Sequence, residues 1–175
     1  AYAGANLVLI DKVDKSIIFK QSKILSKKHK TKILFFNVDI VDEKKIINSI
    51  SDILKKFKKI DTLINLAAID SKINNKNFRN FSFPKFPIDK LELSLDVNVK
   101  GTFIVTKNIL NQMLKQKYGN IINVASTYSI IAPNQNLYKD KKNKQIFIKP
   151  IDYVLSKSVI PNFTRYIATS FGKKG

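Results

Sequence analysis

Along this chain, short apolar runs that close on a polar residue alternate with longer segments whose apolar residues recur at helical spacing. The short runs are Ala5-Asn-Leu-Val-Leu-Ile-Asp11, Lys32-Ile-Leu-Phe-Phe-Asn-Val-Asp39, Asp61-Thr-Leu-Ile-Asn65 and Asn120-Ile-Ile-Asn-Val-Ala-Ser126. They read as buried parallel strands. Residues 14–29, 42–57, 89–116 and 151–171 read as helices. In the second of these, Ile46, Ile47, Ile50, Ile53, Leu54 and Phe57 fall on one stripe. Asp42 and Glu43 stand at its positive N-terminal end. Residues 70–88, with Phe83, Pro84, Phe86 and Pro87, read as a loop, and 130–149 as an irregular polar segment. Strands that alternate with helices make right-handed βαβ units, so the expected fold is α/β with a doubly wound parallel sheet. At 175 residues the chain is expected to form one domain, 1–175.

In such sheets ligands bind outside the carboxyl ends of the strands. Asp11, Asp39, Asn65 and Ser126 all fall at those ends. Each alone is an ordinary turn former or helix cap. Four polar residues along one edge mark that edge as the place to look for a ligand.

Behind the last strand, Tyr153 and Lys157 stand four residues apart, on one face of a helix. A nearby ammonium favours the phenolate form and suits a tyrosine to acid/base work. With a serine at a strand end, the set suits carbonyl/alcohol redox chemistry. The pair needs context, because two of the 32 basic residues are arginine and the rest lysine. Tyr138 and Lys142 have the same spacing. Around Tyr138 the chain is polar and lysine-rich, without an apolar stripe. After Tyr153, Val154, Val159, Ile160, Phe163, Ile167 and Phe171 recur near a helical period. Tyr153 is therefore the stronger candidate.

The chain has no cysteine, which excludes disulfides and thiolate chemistry. His29, the one histidine, sits among lysines, so no metal site is expected. No apolar run reaches the length of a membrane span, and no secretory signal is visible at the start. These features point to a cytoplasmic protein without a membrane partner. A net charge of +19 invites a nucleic-acid reading. The charge is spread along the chain as lysine, with Arg79 and Arg165 the only arginines. Arginine is the better fork for phosphates and guanine edges, so no nucleic-acid partner is expected.

The ordered motifs resemble the short-chain dehydrogenase/reductase family, over nearly the whole sequence. Asn65-Leu-Ala67-Ala68 is similar to that family's Asn-Asn-Ala-Gly. Asp96-Val-Asn98-Val-Lys-Gly101 resembles the segment that carries its asparagine, Gly119 to Ser126 the strand that carries its serine, and Tyr153 to Lys157 its tyrosine and lysine. The resemblance implies an NAD(P)-binding Rossmann-like three-layer αβα fold. It also implies hydride transfer between a nicotinamide and a small hydroxyl or carbonyl compound. Tyr153 would be the general acid/base, and Lys157 would support it and hold the nicotinamide ribose. Ser126 would bond the substrate oxygen, and Asn98 would position a relay water. Cofactor contacts are implied for Asp11, Asp39, Ile40, Asn65, Ala67, Tyr153 and Lys157. Asp39 matches an adenine-contacting aspartate. A carboxylate at Asp11 suits both ribose hydroxyls and repels a 2′-phosphate, so NAD is expected over NADP; Lys12 and Lys15 keep NADP open. A homotetramer or homodimer, paired through the helices 89–116 and 151–171, is implied by the resemblance alone.

Three departures shape the expectations. Leu66 and Ala68 replace the second Asn and the Gly of the usual motif. The stretch from Ser126 to Tyr153 is about twice the usual length. Its extra residues, within 130–149, form an insert expected beside the active site, with a resemblance to reductases of surface-polysaccharide or nonulosonate-type sugar pathways. The family's Gly-rich pyrophosphate loop and its later strands are not found in the 175 residues. The chain is thus expected to be an internal fragment, incomplete at both ends, that neither binds NAD nor turns over substrate alone. In the order 3-2-1-4-5 the missing strand would leave a break between the first and third strands of this chain. A nucleotide-sugar epimerase or dehydratase with bound NAD, and a non-catalytic NAD-binding protein, are the alternative functions.

Overall fold

The computed structural model describes residues 1–13, 15–71 and 78–175, without the side chains of Lys15 and Ile17. The expectations for Asp14, for 72–77 within the 70–88 loop, and for the Lys15 ammonium lie outside the described residues.

Among the described residues four short parallel strands form, all at the expected places: β1 (Leu7–Asp11), β2 (Ile33–Asn37), β3 (Thr62–Asn65) and β4 (Asn120–Asn123). They pair as β1 with β2, Asp11 opposite Asn37, and as β3 with β4, Asn65 opposite Asn123. The two pairs are separate two-stranded sheets. The expected order 3-2-1-4-5 puts its break at this point, between β1 and β3. Two strand ends come earlier than expected. β2 stops before Asp39, and β4 stops at Asn123, so Ser126 lies beyond the strand rather than at its end.

Helix α1 (Lys15–His29) links the first pair. Helix α2 (Glu43–Phe57) starts where the Asp42 carboxylate accepts the Lys45 backbone N–H at 3.1 Å, and ends at Lys58 in the left-handed region with φ 67°. Ile46, Ile50 and Ile53 turn inward, whereas Ile47, expected on the same stripe, is exposed. Ile46 and Ile50 meet Ile104, Val105, Ile109 and Met113 of α4 (Thr102–Gln116). Val38 and Leu63 complete this core, with Ile10, Phe36 and Ile121 packed against it. One helical layer thereby supports both sheets. Burying side chains of this size stabilises by about 1.5–3 kcal/mol each.

The helix expected over 89–116 is instead three joined pieces: α3 (Ile88–Leu95), a π-helical turn Asp96–Gly101, and α4. A π-turn inserts a residue into the helical ladder and often marks a working site. Asn98 lies within it. The helix expected over 151–171 is also divided, into α5 (Ile151–Ser158) and α6 (Ile160–Phe171). Pro161 explains the break. It has no N–H to give to the Lys157 carbonyl, four residues back, and its ring crowds that position.

Candidate active site

The site is assembled where α5 meets the segments that follow β3 and β4. Asn98, with 1% of its surface exposed, forms three side-chain hydrogen bonds. Its Nδ2 donates to the Ile69 carbonyl at 2.9 Å and to Ser156 Oγ at 2.8 Å. Its Oδ1 accepts the Ile69 N–H at 2.8 Å. The π-turn is thus tied to the segment after β3 and to α5, within one residue of Lys157. The Asn98 backbone carbonyl accepts from Thr102 Oγ1 at 2.9 Å.

Lys157 is buried, and its Nζ donates to the Val124 carbonyl at 2.7 Å. Val124 follows β4 and precedes Ser126 by two residues, so this bond joins the tyrosine helix to the serine segment. Burial pushes the Lys157 ammonium below the ordinary lysine range. Its Nζ lies 6.0 Å from the Tyr153 ring centroid. Ser126 caps the 3-10 turn Thr127–Ser129: its Oγ accepts the Tyr128 N–H at 3.2 Å, and its own N–H donates to Ser129 Oγ at 3.0 Å. Helix α5 packs on this turn. The structure therefore gathers Asn98, Ser126, Tyr153 and Lys157 around α5. The rival pair separates: Tyr138 shares a 3.0 Å hydroxyl contact with Tyr128, while Lys142 is exposed and bonds Asp140 through its backbone N–H.

The expected cofactor residues divide into two groups. Asp11 ends β1 and is exposed; among the described residues its carboxylate accepts only the neighbouring Lys12 N–H, at 2.6 Å. Its carboxylate therefore keeps lone pairs for hydroxyl donors, which fits a ribose. Asp39 accepts Lys12 Nζ at 2.7 Å and the Val41 N–H at 3.1 Å. The Lys12 hydrogen bond holds its carboxyl below the usual carboxylate range. Ala67 is exposed after β3, and Ile40 is half-buried, pressed on the Gly101 backbone. Asn65 behaves differently from what its motif suggests. Both protons of its amide are committed inward, to Thr106 Oγ1 and to Asn123 Oδ1, each at 2.8 Å. Its backbone carbonyl accepts the Val124 N–H at 3.1 Å. Asn123 passes the chain on to Thr164 Oγ1 at 2.9 Å. This is a strap between β3, β4, α4 and α6.

The sequence reading passed over two further groups. Asp152, beside Tyr153, is fully buried, and its Oδ2 accepts from Ser71 Oγ and Ser94 Oγ, both at 2.6 Å. Among the described residues its Oδ1 has no partner. A buried acid in a helical first turn was visible in the sequence only as a neighbour of the tyrosine. The second group is Lys149 and Tyr138 of the insert, which meet Asp70 of the segment after β3 and Tyr128 of the turn that Ser126 caps. That segment is more ordered than its composition suggested. It contains the 3-10 turn Gln135–Tyr138, a Lys139–Gln145 bridge, and an Asn143 turn at φ 60°.

A family model described as short chain dehydrogenase matches residues 1–139. Xanthoxin dehydrogenase of Arabidopsis thaliana is 27% identical over 172 residues, covering 98% of this chain and 53% of the relative. Among solved structures, NAD+-bound xylitol dehydrogenase superposes with a TM-score of 0.81 at 23% identity, over 99% of this chain and 58% of that one. A gluconate 5-dehydrogenase from Burkholderia cenocepacia J2315, in complex with NADP and tartrate, superposes with a TM-score of 0.77 at 18% identity, over 99% and 58%. At those identities the superpositions speak for the fold. The chain spans about half the length of the relatives it matches. One of those structures holds NAD+ and the other NADP.

Proposed function

This chain belongs to the short-chain dehydrogenase family, and on that premise we propose that the whole protein is an NAD(P)-linked oxidoreductase of a small hydroxyl or carbonyl compound. The observation that carries the reading is the Lys157 bond to the Val124 carbonyl, which locks the tyrosine helix against the serine segment. A bound nicotinamide supplies the hydride chemistry; the residues of this chain orient and move the proton. Tyr153 exchanges a proton with the substrate oxygen, Ser126 turns its hydroxyl from the turn cap toward the same oxygen, and Lys157 keeps a cation beside them. Asn98 holds Ile69 and Ser156 so that these parts keep one geometry.

Asp11 would take the adenosine ribose, which favours NAD. Lys12 is already paired with Asp39, which argues against its serving a 2′-phosphate. Asp39, Ile40 and Ala67 would line the remaining cofactor edge. Asn65 would stand at the same edge, with both protons of its side-chain amide serving as a strap within the sheet. A sugar-pathway intermediate is the substrate class we favour, through the insert beside Tyr153. Pairing of two or four copies would use the exposed Phe103 on α4, Leu155 on α5, Tyr166 on α6 and Val159 between the last two. Among the described residues no helix is long and apolar enough to cross a membrane.

The test is oxidation of a panel of polyols and secondary alcohols by the full-length protein with NAD+ and NADP+. Tyr153→Phe is expected to lower kcat at least a hundredfold while NAD+ affinity stays within threefold. Wild-type turnover in that variant would remove Tyr153 from the mechanism.

A further inference from the structure

The insert delivers a second ammonium to Tyr153. Lys149 closes the insert, and its backbone is gripped from both sides. Gln135 Nε2 donates to the Lys149 carbonyl at 3.0 Å, and the Lys149 N–H donates to Gln135 Oε1 at 3.1 Å. Gln145 Nε2 then fixes the Gln135 and Phe147 carbonyls at 2.8 and 2.7 Å. The Lys149 side chain is only 12% exposed and is ion-paired with Asp70, which lies after β3. Its Nζ stands 4.4 Å from the Tyr153 ring centroid and 5.7 Å from that of Tyr128. Lys157, from α5, is farther from the Tyr153 ring and directs a proton to Val124. Asp152, next in the chain to Tyr153, is turned to Ser71 and Ser94. Among the described residues the charged and titratable groups around this ring are thus Lys149, Lys157, Tyr128 and, behind Lys149, Asp70.

A cation over an aromatic face is drawn to the electron density of the ring. That density rises when the hydroxyl oxygen gives up its proton. A lysine shielded to this degree also needs a counter-charge, which Asp70 provides. We propose that Lys149, held by the insert and balanced by Asp70, is a positioning residue for Tyr153. It fixes the ring by its face and attracts the negative charge that the ring takes up as the proton is transferred. This rests on the reading of Tyr153 as the acid/base. The same ion pair could serve only as a latch between the insert and the loop after β3, and the two roles make different predictions.

The experiment uses the full-length protein with Lys149→Met, Lys149→Arg and the exchange Lys149→Glu with Asp70→Lys. Lys149→Arg keeps both the cation and the pair, and is expected to hold kcat within about threefold of wild type. Lys149→Met should lose roughly ten- to thirtyfold in kcat, with NAD+ affinity unchanged. The exchange restores the pair but puts a carboxylate over the ring. Its melting temperature should recover toward wild type while kcat stays low. Recovery of kcat together with stability in the exchange variant would leave the latch alone standing and overturn the proposal.

A second readout needs no turnover. In protein labelled with 13C-tyrosine, the Tyr153 ring signal, assigned through its loss in Tyr153→Phe, should move in Lys149→Met and in the exchange, and hold in Lys149→Arg. A signal unmoved in Lys149→Met overturns the proposal whatever the activity. Full turnover in Tyr153→Phe would instead overturn the underlying reading of Tyr153, and is told apart by that variant alone.

Discussion

Ser94 Oγ donates to Asp152 Oδ2 at 2.6 Å, so α3 grips the residue that precedes Tyr153 in the chain. Ser71 adds a second bond to the same oxygen, from the segment after β3. Three parts of the chain distant in sequence meet at one buried carboxylate. Asp152→Ala strands two hydroxyls, one of them fully buried, and is expected to destabilise by roughly 2–4 kcal/mol. Asp152→Asn keeps an acceptor for both serines and should lose less than half as much. Urea denaturation of the two variants measures this. Equal losses would show that the carboxylate's charge, rather than its acceptor geometry, holds the joint.

The strands were legible because their apolar runs leave little choice of structure, and the Tyr153 helix because its stripe keeps a helical period. The parts hidden from that reading are set by contacts across the fold. Composition does not announce that Lys149, four residues before Tyr153 but outside its helix, will reach the ring, since its position depends on its bonds to Gln135, fourteen residues back, which Gln145 in turn holds. Periodicity likewise runs straight through Asp96–Gly101 and does not register the π-turn. Pro161, by contrast, was a visible breaker, and the division of α5 from α6 could have been read from it. Asn65 was placed by its motif at a ligand edge, but an asparagine amide also straps neighbouring strands, and only the partner positions Thr106 and Asn123 decide between the two uses.

Gly101 lies where the π-turn meets Ile40. A Cβ at this position would come within 2.6 Å of Ile40 Cδ1 and Cγ1. The Ile40 side chain can yield by a rotamer change, so Gly101→Ala should cost about 1–3 kcal/mol. Ile40→Val removes the Cδ1 methyl and should recover part of that loss. The double variant is therefore expected to be more stable than the sum of the single losses predicts. Additive losses would mean that the strain lies in the π-turn backbone instead.

Tyr138 is pushed up to about 12, first by the hydroxyl contact with Tyr128 and then by burial. A tyrosine whose native value is raised holds its proton longer than the unfolded chain does. Its contribution to stability is complete below about 10, the ordinary tyrosine value, and is lost as pH climbs through the raised one. Tyr128→Phe removes the principal cause. In that variant the Tyr138 hydroxyl should ionise nearer its ordinary range, and ultraviolet titration of tyrosinate against a Tyr138→Phe control resolves it. An unchanged curve would leave burial as the main cause.

Lys157 gives the opposite sign. Burial lowers its native value, so between that value and about 10.4 the unfolded chain binds more protons than the native one. Stability then rises with pH across this window, because the cost of holding a buried ammonium disappears as it deprotonates. Lys157→Met carries no such group. The stability of wild type minus that of Lys157→Met should therefore increase from pH 7.5 toward pH 10, which urea melts at matched ionic strength can follow. The other titrating groups are common to both proteins and cancel in the difference. A flat difference would show that the bond to the Val124 carbonyl offsets the burial and leaves the ammonium as stable in the fold as in water.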